Sequence, residues 1–428
     1  MGKMERAILV GCQFPDIDDE RFRYSLAELA SLTETARGVA VLTVTQKREK
    51  PHPATYIGKG KILELKQAIA ETEADVVIFN SELSPTQLKN LTNELKIKII
   101  DRTQLILDIF AQRAKSREGK LQVELAQLEY LLPRLSGQGT ELSRLGGGIG
   151  TRGPGETQLE TDRRHIRKRI HDIKKQLDVI VKHRHLYRKR RKERQVIQIA
   201  LVGYTNAGKS TLFNRLTAGD SFEEDLLFAT LDPLTKQMTL SNGLVVLLSD
   251  TVGFIEDLPT TLIAAFRSTL EEVREADLLV MVVDSSNPDY MQHEETVNNL
   301  LDELDCGHIP RLKIYNKIDR VHPDFFPIPD GEFIEISALS KTDVEKAKKA
   351  IERCLIKAML PYQIQLPSTA GKMLARLKKE TILEEVRYLE MEDQYECRGY
   401  IMKHHPLYGQ MQPSIYGNKC LNHRATIV

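Results

Sequence analysis

The chain has 428 residues, 41% hydrophobic and 28% charged, with a net charge of +1, which suits a soluble protein of two or three domains. No apolar run reaches the roughly 18 residues of a membrane-spanning helix, and the start lacks the features of a secretory signal. The five cysteines form no CxxC pair, which argues against a disulfide framework or a zinc site and favours the reducing cytoplasm.

Residues 1–115 predict a small α/β domain with a mostly parallel sheet, because strand-like and helix-like segments alternate. The predicted strands are 7–10, 39–45, 76–79 and 97–100, and the predicted helices are 59–71 and 84–95. Ser84 and Pro85 form a favourable helix start, and Thr103 is expected to cap the helix after the last strand.

Residues 116–194 predict two long helices, because apolar residues recur at heptad spacing in each. These residues are Leu121, Leu125, Leu128, Leu132 and Leu135 in the first helix, and Ile166, Ile170, Ile173, Leu177 and Ile180 in the second. Since one loop separates the helices, the simplest arrangement is an antiparallel hairpin.

The loop between these helices is rich in glycine and includes Arg144 and Arg152. Its glycines are Gly137, Gly139, Gly146, Gly147, Gly148, Gly150, Gly153 and Gly155. Such a backbone can approach a surface closely and the arginines can pair with phosphate, so we favour a functional loop over a plain connector. It is not a phosphate-binding loop of the Walker type, because no GKS/T follows it and no strand precedes it.

A dense basic segment closes this region. Residues 162–194 hold 15 Lys/Arg against 4 Asp/Glu, a net charge of +11. A concentrated positive charge on a nearly neutral protein favours a nucleic acid partner. An anionic membrane surface and a solvated helix face are the two alternatives.

Residues 195–360 predict a second α/β domain, and residues 361–428 predict a small α+β C-terminal piece. The predicted strands of the second domain are 197–202, 244–249, 278–283, 312–316 and 333–336. In the C-terminal piece we expect a helix at 371–379 and strands at 381–386 and 396–401.

The first strand of the second domain leads into a GxxxxGKS motif, formed by Gly203, Tyr204, Thr205, Asn206, Ala207, Gly208, Lys209 and Ser210. A strand, this loop and a following helix form the P-loop, whose backbone N–H groups bind phosphates. Lys209 is expected to reach the β and γ phosphates and Ser210 to ligate Mg²⁺, and Thr211 joins the nucleotide-binding candidates.

Asp250 and Gly253 form a DxxG motif after the next strand. Asp250 is expected to hold Mg²⁺ through water, and the Gly253 N–H to sense the γ phosphate. Thr230 is the candidate switch threonine that ligates Mg²⁺ only with GTP, with Thr235 as its competitor, and Phe228 is a nucleotide-binding candidate beside it.

Asn316, Lys317 and Asp319 form an NKxD motif after another strand. The Asp319 carboxylate can accept hydrogen bonds from N1–H and the 2-amino group of guanine, and adenine offers neither. Lys317 can pack over the base. Ser337, Ala338 and Leu339 stand where a backbone group would meet guanine O6, so the four ordered motifs predict a Ras-like GTPase with Lys209, Thr230 and Gly253 as its catalytic candidates.

LFATLDP, DTVGF, YIGKGK (Tyr56–Lys61) and GGGIGTRGPGETQLE together resemble the HflX family of the Obg-HflX group of P-loop GTPases, over about residues 5 to 360. The resemblance implies a cytosolic monomer that binds the large ribosomal subunit and its RNA and splits or rescues stalled ribosomes under stress. The family is also linked to ATP binding or RNA unwinding by its N-terminal part, but this sequence contains no second Walker motif.

Phe254 stands where Ras-like enzymes place a glutamine that orients the attacking water. Intrinsic hydrolysis is therefore expected to be slow, with the water ordered by the ribosome or by K⁺ at Asn206, which is otherwise only a turn residue. Two other functions are open: a GTP-gated RNA-remodelling protein, and a peripheral membrane regulator. No catalytic constellation in 1–115 supports the first, and the lack of interleaved aromatics in the basic helix weakens the second.

Overall fold

The computed structural model describes residues 4–135, 154–194, 196–217, 228, 230, 233–255, 272–327, 331–403 and 405–411. Residues 136–153, which contain most of the glycine-rich segment, lie outside the described residues, so the role predicted for this segment stays a prediction. No helix within the described ranges is long and apolar enough to cross a membrane.

The N-terminal body is built on a four-stranded parallel sheet of order β2-β1-β3-β4, as the alternating sequence pattern predicts. Its strands are β1 (Glu5–Gln13), β2 (Gly38–Lys47), β3 (Val76–Phe79) and β4 (Lys98–Asp101). Its helices are α1 (Asp19–Thr35), α2 (Lys59–Thr72), α3 (Pro85–Leu95) and α4 (Arg102–Arg113).

Local sequence signals explain where these helices begin. The Ser84 hydroxyl oxygen accepts a hydrogen bond from the Gln87 N–H, and the Gln87 side-chain oxygen accepts one from the Ser84 N–H, so the predicted start of α3 is confirmed. The predicted Thr103 cap is wrong, because α4 begins two residues earlier. Asp101 caps it by accepting a 2.9 Å hydrogen bond from the Gln104 N–H.

Two further helices follow, α5 (Arg117–Arg134) and α6 (Pro154–Arg194). Arg169 of α6 binds Glu124 of α5 through two nitrogens at 2.6 and 2.7 Å, and Lys174 binds Glu129 at 2.8 Å. Both pairs join residues 45 positions apart, so the two helices run in the same direction here, not as the expected antiparallel hairpin. Heptad spacing shows which side of a helix packs, but it does not fix the direction of the partner.

The second body contains a six-stranded sheet of order β10-β9-β8-β5-β7-β6, which is parallel except for its edge strand β6. Its strands are β5 (Gln198–Gly203), β6 (Leu234–Thr239), β7 (Val245–Asp250), β8 (Leu278–Asp284), β9 (Arg311–Asn316) and β10 (Glu332–Glu335). Its helices are α7 (Lys209–Leu216), α8 (Tyr290–Glu303) and α9 (Lys341–Ala358), with a 3₁₀ turn at Ile318–Arg320.

The same body ends in a three-stranded antiparallel sheet of order β11-β13-β12. Its elements are β11 (Leu360–Pro367), α10 (Gly371–Glu380), β12 (Ile382–Leu389), β13 (Gln394–Ile401) and α11 (Pro406–Met411). The helix and the two later strands were predicted, and β11 was not.

The six-stranded sheet positions the motifs. The interior strands β5 and β8 are almost wholly buried, as expected for central strands of a parallel sheet. Because β5, β7 and β9 are parallel, their carboxyl ends lie at one edge of the sheet, where ligands bind in such folds. Gly203, Asp250 and Asn316 are the last residues of these three strands.

Truncating Ile173 tests the packing of α6. Its side chain is fully buried, so Ile173→Ala should lower the free energy of unfolding by about 2–4 kcal/mol. Val179→Ala, at a position of the same helix that is 54% exposed, is the matched control and should cost less than about 0.5 kcal/mol. Thermal melting of both variants measures the difference, and equal losses would contradict the packing described here.

Candidate nucleotide-binding site

The loop between β5 and α7 requires glycine at both ends. Gly203 has a φ of 151° and Gly208 a φ of 92°. A Cβ atom at Gly203 would lie 2.2 Å from the Val282 carbonyl oxygen, and one at Gly208 would lie 2.2 Å from Asn316 Nδ2. The backbone of this loop therefore lies close against Val282 of β8 and against Asn316 at the end of β9.

Lys209 is buried at the start of α7 and folds back over the loop. Its Nζ donates hydrogen bonds to the carbonyl oxygens of Gly203 at 3.0 Å and Tyr204 at 2.7 Å. Burial lowers the pKa of Lys209 to about 8, and the Asp250 carboxylate opposes this shift. At neutral pH the ammonium is thus mostly charged, weakly hydrated and held inside the loop.

Ser210 and Asp250 bring two oxygen ligands together. The Ser210 hydroxyl donates a 2.7 Å hydrogen bond to Asp250 Oδ2, and Asp250 is buried at the end of β7. Hydroxyl and carboxylate oxygens beside a phosphate-binding loop are the donors that Mg²⁺ prefers, so these two residues fit that ion.

The segment after Asp250 pairs with the loop through its backbone. The Phe254 N–H donates to the Gly203 carbonyl at 3.1 Å, and the Thr205 N–H donates to the Phe254 carbonyl at 2.7 Å. The Phe254 side chain is only 3% exposed, so this residue contributes its backbone to the site while its ring is buried.

Gly253 is tightly enclosed by this pairing. A Cβ there would lie 2.8 Å from Thr205 Cα, 2.9 Å from Thr205 Cγ2 and 3.1 Å from Lys209 Nζ. The position therefore demands glycine for lack of space. Nearby, the Thr251 hydroxyl donates a 2.6 Å hydrogen bond to the Leu201 carbonyl, which fixes the start of the segment.

Tyr204 is held from the other side by a residue that the sequence analysis missed. Its ring stacks on His293 of α8 with centroids 3.6 Å apart and planes 5° from parallel. Burial lowers the pKa of His293 to about 4, and the Asp284 carboxylate opposes this. His293 shares a helical stripe with Val297 and Leu301, and that spacing marks it as an inward-facing residue.

Asn316 joins three segments at the edge of the sheet. Its Nδ2 donates to the Ala207 carbonyl and its Oδ1 accepts from the Ala338 N–H, both at 2.9 Å. Its backbone carbonyl accepts from the N–H of Ser285 at 2.9 Å and from the Ser285 hydroxyl at 2.6 Å. Only 2% of the Asn316 surface is exposed, so this buried residue connects the P-loop to the segment that contains Ala338 through hydrogen bonds.

The other residues of the NKxD motif, Lys317 and Asp319, follow Asn316 in the chain. Lys317 has a φ of 66°, and its Nζ binds Asp284 Oδ2 at 2.8 Å. Asp319 lies on the 3₁₀ turn with a side chain 39% exposed, and Arg320 Nε is 3.7 Å from it. Its carboxylate is therefore open to a ligand.

The segment after β10 is shaped by α9. The Ser337 N–H donates a 2.9 Å hydrogen bond to Asp343, a residue of the first turn of α9. Ala338 is buried and Leu339 is exposed. Of the remaining P-loop candidates, Asn206 is an exposed turn residue with a φ of 60°, and Thr211 is half-buried in α7.

The candidate switch threonines, Thr230 and Thr235, lie in different surroundings, and Phe228 precedes them in the chain. Thr235 lies in β6, where its hydroxyl is 2.8 Å from that of Ser249, so it is engaged within the sheet. Thr230 is half-buried. Phe228 is buried with its ring edge-on to Phe110, at 4.6 Å between centroids. The roles proposed for Thr230 and Phe228 stay predictions.

The burial of His293 makes stability depend on pH. The pKa of His293 in the folded protein, about 4, lies below its unfolded value of 6.5, so between these two pH values the unfolded chain gains a proton that the folded protein does not. Stability is therefore retained above pH 6.5 and lost below it, by up to about 3 kcal/mol.

His293→Phe keeps an aromatic ring for the stack and removes the titration. We expect the loss of melting temperature between about pH 7.5 and about pH 5 to be smaller in this variant than in the natural protein. Equal losses in the two proteins would show that His293 does not contribute.

Three family models match successive parts of the chain. Residues 23–111 match the family described as GTP-binding GTPase N-terminal, residues 113–191 the GTP-binding GTPase middle region, and residues 198–317 the 50S ribosome-binding GTPase family. A crystal structure of a GTP-binding protein from the archaeon Sulfolobus solfataricus in complex with GDP is 26% identical, with a TM-score of 0.44 over 82% of this chain and 98% of that one.

Two relatives extend over most of the sequence. GTPase HflX of Alkalihalophilus pseudofirmus is 57% identical over 409 residues, which is 96% of each chain. GTPase HflX of Escherichia coli is 42% identical over 386 residues, or 89% of this chain and 90% of that protein. The chain therefore belongs to the HflX family of GTPases and is a GTP hydrolase.

Proposed function

We propose that this GTP hydrolase binds GTP at residues 203–211 and acts as a switch on the large ribosomal subunit, splitting or rescuing stalled ribosomes under stress. The observation that carries the nucleotide site is the hydrogen-bonded assembly in which Asn316 joins the P-loop to Ala338, while Phe254 joins it to the DxxG segment. Three motifs that are far apart in sequence are thus joined to the P-loop, directly or through Asn316.

The phosphate end of this site is made by Lys209, Ser210, Asp250 and Gly253. Lys209 presents its ammonium to the β and γ phosphates, and the Gly253 N–H meets the γ phosphate. Ser210, Asp250 through water, and Thr230 would hold Mg²⁺, which neutralises charge on the β and γ phosphates when bound.

The base end is made by Asp319, Lys317 and the segment of Ala338. Asp319 presents an accessible carboxylate that can accept two hydrogen bonds from guanine. Lys317 is held by Asp284 and can pack along the base. The backbone of the buried Ala338 lies beside the Asn316 side chain, to which its N–H donates a hydrogen bond. Adenine would leave the Asp319 carboxylate unpaired, so GTP is selected over ATP.

Slow hydrolysis by the isolated protein follows from Phe254. Its buried ring cannot orient an attacking water, and its backbone is already paired with the loop. The ribosome would then supply or reposition the missing group. Asn206, exposed at the turn of the loop, is where K⁺ would assist.

The ribosomal partner is supported by the 50S ribosome-binding GTPase match and by the charges of α6. Arg169 and Lys174 are neutralised by Glu124 and Glu129 of α5. Arg164, Arg167, Lys168, Lys175 and Lys182 are exposed basic residues of the same helix. Such a row of cations suits the phosphates of ribosomal RNA, and we propose that the protein acts there as a cytoplasmic monomer.

GTP hydrolysis with and without purified large ribosomal subunits tests this function. In K⁺ buffer we expect the subunits to raise the rate of hydrolysis at least about tenfold, because the ribosome would supply the water-orienting group that Phe254 lacks. In Na⁺ buffer we expect less stimulation, because the K⁺ proposed to assist at Asn206 is then absent. Lys209→Ala should abolish hydrolysis under every condition. A rate unchanged by subunits, with GTP binding intact, would contradict the ribosome-coupled switch.

Charge removal on α6 tests the docking surface in the same assay. Arg167→Gln combined with Lys168→Gln should raise the subunit concentration needed for half-maximal stimulation and weaken its dependence on salt. Lys341→Gln combined with Lys349→Gln removes two exposed charges of α9 and is the matched control. Equal effects of the two double variants would argue against α6 as the docking element.

A further inference from the structure

Thr205, the third residue of the P-loop, carries a buried hydroxyl that has no hydrogen-bond partner in the part of the chain that the structure describes. The residue is 7% exposed, so its Oγ1 is also removed from bulk water. Most buried polar side-chain atoms in proteins have a partner, because leaving one unpaired costs free energy. An unpaired hydroxyl in a ligand-binding loop therefore indicates a ligand.

The surroundings of Thr205 show which part of a ligand it would meet. Its N–H donates to the Phe254 carbonyl at 2.7 Å, which fixes its backbone against the DxxG segment. Its Cγ2 and the Lys209 Nζ both lie about 3 Å from the point where a Gly253 Cβ would stand. Thr205 thus lies beside the two residues proposed to contact the γ phosphate.

Neighbouring hydroxyls are already engaged within the protein. Ser210 donates its hydroxyl proton to Asp250, and Thr251 donates its own to the Leu201 carbonyl. The Phe254 ring offers no hydrogen-bond donor. Thr205 is therefore well placed to add a neutral donor where charge collects on the transferred phosphoryl group.

We infer that the Thr205 hydroxyl is a further catalytic group that donates a hydrogen bond to a γ-phosphoryl oxygen of GTP during hydrolysis. The inference rests on the GTP site proposed at residues 203–211. In the reaction, water forms a bond to the γ phosphorus, and the bond from this phosphorus to the bridging oxygen breaks. The electron pair leaves with GDP, and the water's protons go to inorganic phosphate and solvent. Thr205 stays unmodified and stabilises the charge on the phosphoryl oxygens.

Two variants separate the hydroxyl from the shape of the side chain. Thr205→Val keeps the branched shape and removes the hydroxyl, and Thr205→Ser keeps the hydroxyl and removes the methyl group. Single-turnover GTP hydrolysis is measured without ribosomes, together with GDP affinity and the melting temperature of the nucleotide-free protein.

Thr205→Val should hydrolyse GTP at least about tenfold more slowly, and Thr205→Ser should stay within about threefold of the natural protein. GDP affinity should be nearly unchanged, because GDP has no γ phosphate. The melting temperature of Thr205→Val should be equal or higher, since valine buries no unpaired hydroxyl.

Three results would overturn the inference: a normal rate in Thr205→Val, an equal loss in Thr205→Ser, or a loss of GDP affinity that matches the loss of rate. Lys209→Ala, measured alongside, distinguishes a failure of the role inferred for the Thr205 hydroxyl from a failure of the proposed GTP site. Normal hydrolysis in Lys209→Ala would reject the proposed site itself. An inactive Lys209→Ala with a normal Thr205→Val would reject the hydroxyl's role alone.

Discussion

The carboxamide of Asn316 is the interaction on which the site depends. Its two ends bind Ala207 of the P-loop and Ala338 of the segment after β10, and its backbone carbonyl binds Ser285 after β8. A buried amide can satisfy these partners only when all three segments are in place, because an unpaired end costs free energy. Its close approach also explains Gly208, since any Cβ there would collide with Asn316 Nδ2.

A second constraint joins the P-loop to the DxxG segment. The paired hydrogen bonds between Gly203, Thr205 and Phe254 place Gly253 directly over the loop. A backbone held in this way can respond to the γ phosphate as a unit, which is what a switch requires. The substitution of phenylalanine for a water-orienting glutamine therefore has two consequences: it removes a polar side chain, and it gives the loop a buried anchor.

The chemistry was more predictable from sequence than the packing. Each motif follows a hydrophobic strand, and parallel strands bring their carboxyl ends together, so Lys209, Asp250 and Asn316 could be placed at one edge of a sheet in advance. The edge strand β6 was missed because its sequence, LTKQMT, is mostly polar, and β11 was missed because Pro361 and Pro367 lie within an otherwise alternating run.

Other features depend on tertiary contacts that periodicity does not encode. The direction of α6 relative to α5 is shown by the ion pairs of Arg169 and Lys174 with α5, and heptad spacing does not encode it. His293 could be predicted as an inward-facing residue, but its stacking on Tyr204 could not, because it depends on how α8 packs beside β5. That the Thr205 hydroxyl has no hydrogen-bond partner among the described residues becomes apparent only once the fold is known.

The affinity of Asn316→Ala for GDP, measured by calorimetry, tests most directly whether the hydrogen bonds of the Asn316 carboxamide organise the site. Both ends of the Asn316 side chain bind protein atoms, so its loss should act by releasing the P-loop from the base-binding segments. We expect GDP affinity to fall at least about 30-fold in a protein that remains folded. An affinity within about threefold of the natural value would contradict the central role of Asn316.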